Sequence, residues 1–365
     1  RARGYTCFTE KIKWKSNKDG VGKIMAEALQ RVTGEGETVF LTGASGFVGS
    51  HVLQTLLAAR YRVRVLVRPG SRPPSPCEGC TTVQGDILRA GDLVRSMAGC
   101  RYLVHVASLY SFSPRQRSAM RATNVDGCAG VLEAAYLAGI ERAVVTSSSS
   151  TVGPCANGRP ATEDDWDREE AGSAYHCSKL QQARVALAAR VPTVLVLPTA
   201  PVGPGDWKPT PTGKMILDFM RGRIFATLSG GLNVVAVEDV ASAHVLALQQ
   251  GHPWERYLIG GEDVSLAQLW AKLARVCGRT APRRRVSFHL ALALGQADEL
   301  RCRIVQRMTG RQIEPVIPLE GVRMGVHQMY ASSAKARAEL GYTATSVDTA
   351  LERAVRWYRD HGYVI

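Results

Sequence analysis

Short apolar runs alternate along this chain with stretches whose apolar residues recur at helical spacing. Thr38–Thr42 is an apolar run closed by a glycine-rich turn, and His51–Ala59 follows with helical periodicity. Arg62–Arg68 alternates as a strand does, and Thr82–Gln84 is a third short strand with a helix after it at Asp92–Met97. Tyr102–Ala107 reads as a buried strand, Asn124–Leu137 as a helix, Ala143–Thr146 as a strand, Tyr175–Ala189 as a helix and Thr193–Leu197 as a strand. Strands separated by helices of this length predict a doubly wound parallel α/β sheet with right-handed crossovers.

After Pro198 the alternation fades. Pro and Gly cluster over 198–213, which suits a loop above a cleft. Later segments read as mainly helical, with short strands near Val234–Val237 and Tyr257–Ile259. Ser332–Leu340 is a helix stopped by Gly341. Ser346 caps a last helix that carries Leu351, Ala354, Val355 and Tyr358 on one face. This divides the chain three ways: residues 1–36 as a Lys-rich extension outside the fold, with a short helix at Ile24–Val32; residues 37–200 as the doubly wound α/β domain; and residues 201–365 as a smaller α+β part with segments returning to the first domain.

Composition narrows the function classes. With 365 residues and 45% hydrophobic positions, a large core is available. No apolar stretch is long enough to span a bilayer, and no secretory segment follows the basic N-terminus, so a cytoplasmic protein is expected. The net charge of +14 is read as Arg scattered over a solvated surface. Its longest short cluster is Arg283–Arg285, without interleaved aromatics, so nucleic acid is not expected as a partner. Peripheral contact with an anionic inner membrane stays open. Nine cysteines without a framework suit a reducing compartment. The lone pair Cys77/Cys80 lacks a second ligand pair at matching spacing, so no metal is expected there.

The candidate chemistry starts at the first strand. Gly43, Ser45, Gly46, Phe47, Val48 and Gly49 lie where a strand turns into a helix. Glycines there allow a tight turn and close approach of backbone N–H groups to a pyrophosphate facing the helix N-terminus. The second strand ends in Arg68 rather than an acidic residue, with Ser71 and Arg72 just beyond. Arg68 either pairs with a ribose 2′-phosphate, which favours NADP(H) over NAD(H), or points to solvent. Asp86 and Ile87 after the third strand are candidates for the adenine end, although an Asp in a turn also serves as a local cap. Val106, Ala107 and Ser108 close the fourth strand near the nicotinamide side, and Pro198 and Thr199 close the sixth.

Tyr175 and Lys179 stand four apart at a helix start, hence on one face. A phenol serves as general acid or base when an ammonium is near it. The Ser run 147–150, at the end of the strand before, places a hydroxyl opposite Tyr175. His176 lies about 100° round the helix and is read as a packing or loop-facing residue.

Together the T-G-x-x-G-x-x-G turn, the Asp86 turn, Asn124–Gly127, the Ser run and the Tyr175/Lys179 pair resemble the extended short-chain dehydrogenases/reductases. Within them, Leu197–Asp206, Lys208–Gly213, Gly231–Val235, Glu255–Glu262 and Ser332–Ala336 are most similar to the hopanoid-associated sugar epimerase family. That resemblance implies Ser148, Tyr175 and Lys179 as the catalytic residues, with Ser149 the next candidate to Ser148. It also implies that residues 37–200 are a Rossmann-type dinucleotide-binding domain and 201–365 mostly the substrate-binding part, with a link to hopanoid or isoprenoid lipid metabolism and a small-molecule, lipid-like substrate; relatives often form a homodimer through two Rossmann helices, and the oligomeric state stays open. Val152-Gly153 and Pro198-Thr199 depart from sugar-nucleotide epimerases and look more like dihydroflavonol reductases and 3β-hydroxysteroid dehydrogenases. Ala236 stands where relatives often carry His. The leading expectation is an oxidoreductase acting on a secondary alcohol or ketone. A sugar epimerase or dehydratase, or a non-catalytic dinucleotide sensor, is the alternative. Phe288–Leu294 reads either as an ordinary core helix or as part of an apolar substrate site.

Overall fold

The computed structural model describes residues 34 and 36–364, apart from 72, 75–76, 112–115, 155–157, 168–172, 312, 314–316 and 318. The helix expected at Ile24–Val32 and the side chain of Arg72 lie outside the described residues. The backbone is already tied in at Gly34, whose N–H donates to the carbonyl of Ala59 at 3.2 Å.

Seven parallel strands form the main sheet: β1 (Thr38–Thr42), β2 (Arg62–Val67), β3 (Cys80–Gln84), β4 (Tyr102–His105), β5 (Arg142–Thr146), β6 (Thr193–Pro198) and β10 (Arg256–Ile259). Their spatial order is β10-β6-β5-β4-β1-β2-β3. Successive side chains of a strand point to opposite faces. Val39, Leu41, Val63, Val65 and Val104 accordingly enter one core, shared with Val52 and Leu56 of α1 (Phe47–Ala58) and with Val240 and Leu248 of α7 (Val237–Gln250). Phe40, Leu66, Leu103, Ala143 and Val145 enter the other core, under α2 (Ala90–Met97), α4 (Gly127–Leu137) and α5 (Ala174–Leu187). Burial on both faces explains why β6 is apolar along nearly its whole length. Between α3 (Arg117–Arg121) and α4 the chain makes one π-helical turn over Ala122–Asp126.

A second body holds a third core around Ile216, Phe219, Val234, Leu269, Trp270 and Leu351. It consists of α6 (Pro211–Met220), α8 (Leu266–Cys277), α12 (Val347–Asp360) and a four-stranded sheet. In that sheet β9 (Gly231–Ala236) pairs with β7 (Ala200–Val202) and β13 (Gln328–Met329) in parallel and with β11 (Glu262–Ser265) antiparallel. The two-residue strands β8 (Ala226–Thr227) and β12 (Arg284–Arg285) pair with each other in parallel. The remaining helices are α9 (Phe288–Thr309), α10 (Leu319–Met324) and α11 (Ala334–Leu340).

Three differences from the sequence reading are informative. The 198–213 segment is not one loop, because β7 forms inside it once β9 supplies its hydrogen bonds and α6 starts at Pro211. Val237 opens a helix rather than ending a strand. The apolar stretch Phe288–Leu294 is the start of the 22-residue α9, in which only Ala291 and Gly295 are buried. It is therefore not an ordinary core helix. In contrast, Gly341 takes the left-handed conformation (φ 64°) beyond α11, and Leu351, Ala354, Val355 and Tyr358 are buried on one face of the Ser346-capped α12.

Candidate active site

All seven strands of the main sheet run in parallel, so their C-terminal ends share one edge. The order reverses between β1 and β4, since chain succession runs from β1 to β3 on one side and from β4 outward on the other. Such a switch point opens a crevice at that edge. The residues singled out at strand ends in the sequence therefore border one edge: Gly43 after β1, Arg68 after β2, Asp86 after β3, Ala107 after β4, Ser148 after β5 and Thr199 after β6.

The glycine turn has little room for side chains. Gly43 has φ 79°, and a Cβ there would stand 2.5 Å from the backbone nitrogen of Ala107. A Cβ on Gly49 would stand 2.0 Å from the carbonyl oxygen of Gly43. Gly46 is the N-cap of α1 and no side chain caps that helix. Ser45, Phe47 and Val48 complete the turn, and Val48 leans on the core. A bare helix N-terminus beside backbone that tolerates no side chain fits a dinucleotide pyrophosphate. The loop between β4 and Tyr110 is held close to the turn: His105 Nδ1 lies 2.8 Å from Thr42 Oγ1, and that oxygen accepts from the N–H of Ala107 at 3.3 Å. Burial holds His105 neutral, pushed down to about 3, with the nearby Lys179 charge adding to the shift.

Arg68 is exposed, directly past β2, with its carbonyl accepting from the N–H of Ser71 at 2.9 Å. Asp86 makes a local turn, accepting from the N–H of Leu88 at 3.0 Å, and Ile87 is buried in the core against Gly127. Val106 is half-buried against the core, and Ser108 is exposed with its hydroxyl donating to Asn124 Oδ1 at 3.0 Å. Pro198 ends β6 and is buried, while Thr199 donates from Oγ1 to Asn233 Oδ1 at 2.9 Å.

Beyond β5, Ser148 is the extended N-cap of a 3₁₀ turn, and its hydroxyl accepts from the N–H of Ser150 at 3.2 Å. The Ser148 hydroxyl also lies near enough to the Tyr175 phenol to favour its ionised form. Burial nevertheless pushes that phenol up to about 12, against the smaller opposing effect of Ser148, so it is protonated at neutral pH. Ser173 caps α5 by accepting from the N–H of His176, which places Tyr175 in the first turn and Lys179 one turn on. The Lys179 ammonium is 5.9 Å from the centre of the Tyr175 ring. It donates to the Thr146 carbonyl at 3.1 Å and to Gln182 Oε1 at 2.9 Å. Burial lowers it to about 8.

Supporting contacts appear that the sequence does not show. Tyr110 sets its ring 4.2 Å from that of Tyr175, centre to centre. Asn124, on the π turn, accepts from the N–H of Leu109 at 2.7 Å and donates to Ser178 Oγ at 3.0 Å, so it joins the post-β4 loop to α5. His244 Nε2 lies 2.7 Å from Thr146 Oγ1, while its Nδ1 lies 2.7 Å from the carbonyl of Val240. The Asn124–Gly127 motif was visible in the sequence, but its partners were not. His176 is buried beside Asp167, with Nε2 3.5 Å from a carboxylate oxygen, away from the Tyr175 face. Ala236 is fully buried at the end of β9. The Pro/Gly segment also has a structural explanation. Buried Asp206 accepts from the N–H of Thr210 and from Tyr358 Oη at 3.0 Å, and a Cβ on Gly213 would lie 2.1 Å from its carboxylate.

A doubly wound Rossmann fold with a glycine turn and a Ser/Tyr/Lys group at one edge defines a dinucleotide-dependent enzyme. Residues 39–260 match the NAD dependent epimerase/dehydratase family, and the chain belongs to that family. Its enzymes are oxidoreductases and epimerases of the extended short-chain type, and this chain is an NAD(P)-dependent enzyme of that oxidoreductase/epimerase class. The chain is 40% identical over 337 residues to a Synechocystis sp. protein named "Putative dihydroflavonol 4-reductase", covering 89% of this chain and 95% of the relative. It is 30% identical to Sterol demethylase protein B of Methylococcus capsulatus, covering 90% and 100%. Among solved structures it resembles that of gox2253, with 34% identity, a TM-score of 0.78 and coverage of 90% and 100%. The likeness to reductases read from Val152-Gly153 and Pro198-Thr199 agrees with the first of these.

Proposed function

We propose that this protein is an NADP(H)-dependent reductase of a ketone, or dehydrogenase of the matching secondary alcohol, on a large apolar polycyclic substrate. The observation that carries this reading is the placement of Tyr175 beside Ser148 at the strand edge, with the Lys179 ammonium 5.9 Å from the centre of the Tyr175 ring. In the reductive direction Tyr175 gives its proton to the substrate oxygen while Ser148 orients that oxygen. Lys179 supports the phenolate left behind, and its contacts with Thr146 and Gln182 hold it in place. The nicotinamide, when bound, supplies or accepts the hydride. Gly43, Gly46 and Gly49 would hold the pyrophosphate, and Arg68 a ribose 2′-phosphate.

The apolar polycyclic substrate rests on the names of two relatives, a dihydroflavonol reductase and a sterol demethylase protein, and agrees with a place in hopanoid or isoprenoid lipid metabolism. The purified full chain is to be assayed with NADPH against triterpenoid and sterol ketones, flavanone-type ketones and nucleotide sugars. The expected result is NADPH oxidation with a polycyclic ketone. Interconversion of a nucleotide sugar without net NADPH consumption, and no turnover of any polycyclic ketone, overturns the proposal in favour of an epimerase. Cofactor binding with no turnover across the panel overturns it in favour of a sensor.

A further inference from the structure

Helix α9 presents an apolar stripe to solvent. Leu290, Leu294, Leu300, Ile304 and Met308 are all exposed, from 42% for Leu294 to 80% for Met308. At 100° per residue these five fall within an arc of roughly 120°. That arc is opposite the side where Ala291 and Gly295 are buried. Isolated exposed aliphatic residues are ordinary, but five of them aligned on one helix face are not.

The charge around the stripe is one-sided. Between residues 283 and 311 the chain has seven Arg and two acidic residues, Asp298 and Glu299. All seven Arg (Arg283, Arg284, Arg285, Arg301, Arg303, Arg307 and Arg311) are exposed. Asp298 pairs with Arg301 at 2.7 Å and also accepts from the N–H of Ile317 at 2.9 Å, so it is held inward. Arg303, which pairs with Glu299 at 3.4 Å, and Arg307 border the stripe on one side, and Arg301 falls within its arc. Beta strand β12 adds Arg284 and Arg285 just before the helix, paired in register with β8, which directly follows the exposed Phe225.

From this geometry we infer that the outer face of α9 docks on an anionic lipid bilayer. An aliphatic stripe rimmed by Arg matches the interface between acyl chains and acidic headgroups. A second copy of the chain fits this face less well, because pairing two such helices would bring Arg307 of each copy toward like charge. Nucleic acid has no use for an aliphatic stripe. No helix among the described residues is long and apolar enough to cross a membrane, so the contact is peripheral. The inference is independent of the substrate reading.

The test uses the full chain in co-sedimentation with two kinds of vesicle: phosphatidylcholine alone, and phosphatidylcholine mixed with phosphatidylglycerol. Two variants accompany it, Leu300→Glu/Ile304→Glu and Arg303→Glu/Arg307→Glu. The face is exposed, so both should fold, and retained NADPH affinity with an unchanged melting temperature verifies this. The expected result is partitioning onto the phosphatidylglycerol vesicles that weakens at high salt and falls roughly tenfold or more in each variant. No partitioning, equal partitioning onto both vesicles, or no loss in the folded variants overturns the inference. So does a self-association of the native chain in sedimentation equilibrium that Leu300→Glu/Ile304→Glu abolishes, since the stripe is then covered by a second copy.

Discussion

Lys179 and His244 meet at one residue from opposite faces of the main sheet. The Lys179 ammonium donates to the carbonyl of Thr146, and His244 lies 2.7 Å from the hydroxyl of the same Thr146. The last residue of β5 thus couples the helix carrying Tyr175 and Lys179 to α7 on the other side.

Tyr175→Phe removes one hydroxyl and leaves the ring against Tyr110. Turnover should fall by about a hundredfold or more, with cofactor affinity nearly unchanged. Steady-state kinetics paired with a cofactor titration measures both. Near-native turnover on the true substrate would rule out Tyr175 as the acid.

The pH dependence of kcat/KM should report Lys179 rather than Tyr175. The Lys179 ammonium is lowered from 10.5 to about 8, whereas the Tyr175 phenol is raised to about 12. As pH rises through about 8 the ammonium is lost and carbonyl reduction should slow, well before the phenol ionises. A pH–rate profile that stays flat from pH 7 to 10 contradicts this.

Acid should destabilise the fold through two buried histidines. His105 is lowered from 6.5 to about 3 and His244 to about 4, both chiefly by burial. Below their ordinary value the unfolded chain takes up protons that the folded chain does not, so stability falls as pH drops from about 6.5 toward those values. His244→Leu should lose about 1–3 kcal/mol at pH 7, because Thr146 Oγ1 loses its partner. It should also show a shallower loss between pH 6.5 and 4. Denaturant titrations of both proteins at several pH values decide it.

Gly43→Ala places a methyl group 2.5 Å from the backbone of Ala107 at a residue with φ 79°. Backbone cannot yield as a flexible side chain does, so the crevice should distort. NADPH affinity should drop at least about tenfold, with a lower melting temperature. An unaltered binding isotherm would show that the turn does not hold the cofactor.

Arg68→Asp should weaken NADPH by about ten- to a hundredfold and leave NADH unchanged or improved. Arg68 is exposed at the end of β2, where the ribose of a dinucleotide on the glycine turn must lie. Titrating both cofactors against both proteins is the check. Equal affinities in the native chain would remove the basis for NADP(H).

Much of the frame was legible because it is local. A parallel sheet covered on both faces writes its strands as apolar runs, so β1, β5 and β6 were readable from periodicity. Tyr175 and Lys179 four apart at a helix start, and glycines where a strand enters a helix, are relationships within one or two turns of chain. The partners that complete the site are not local. Thr42 meets His105 across 63 positions, Asn124 meets Ser178 across 54, and Thr146 meets His244 across 98. No periodicity encodes such pairs, since they exist only once the strand order and the helix packing are set. β7 escaped notice for the same reason: three residues in a Pro/Gly-rich segment are a strand only beside β9. For α9 the sequence determined an apolar helix start, while the tertiary structure decided that its stripe faces solvent. Apolar spacing specifies which residues share a face, but what covers that face depends on how the other elements pack.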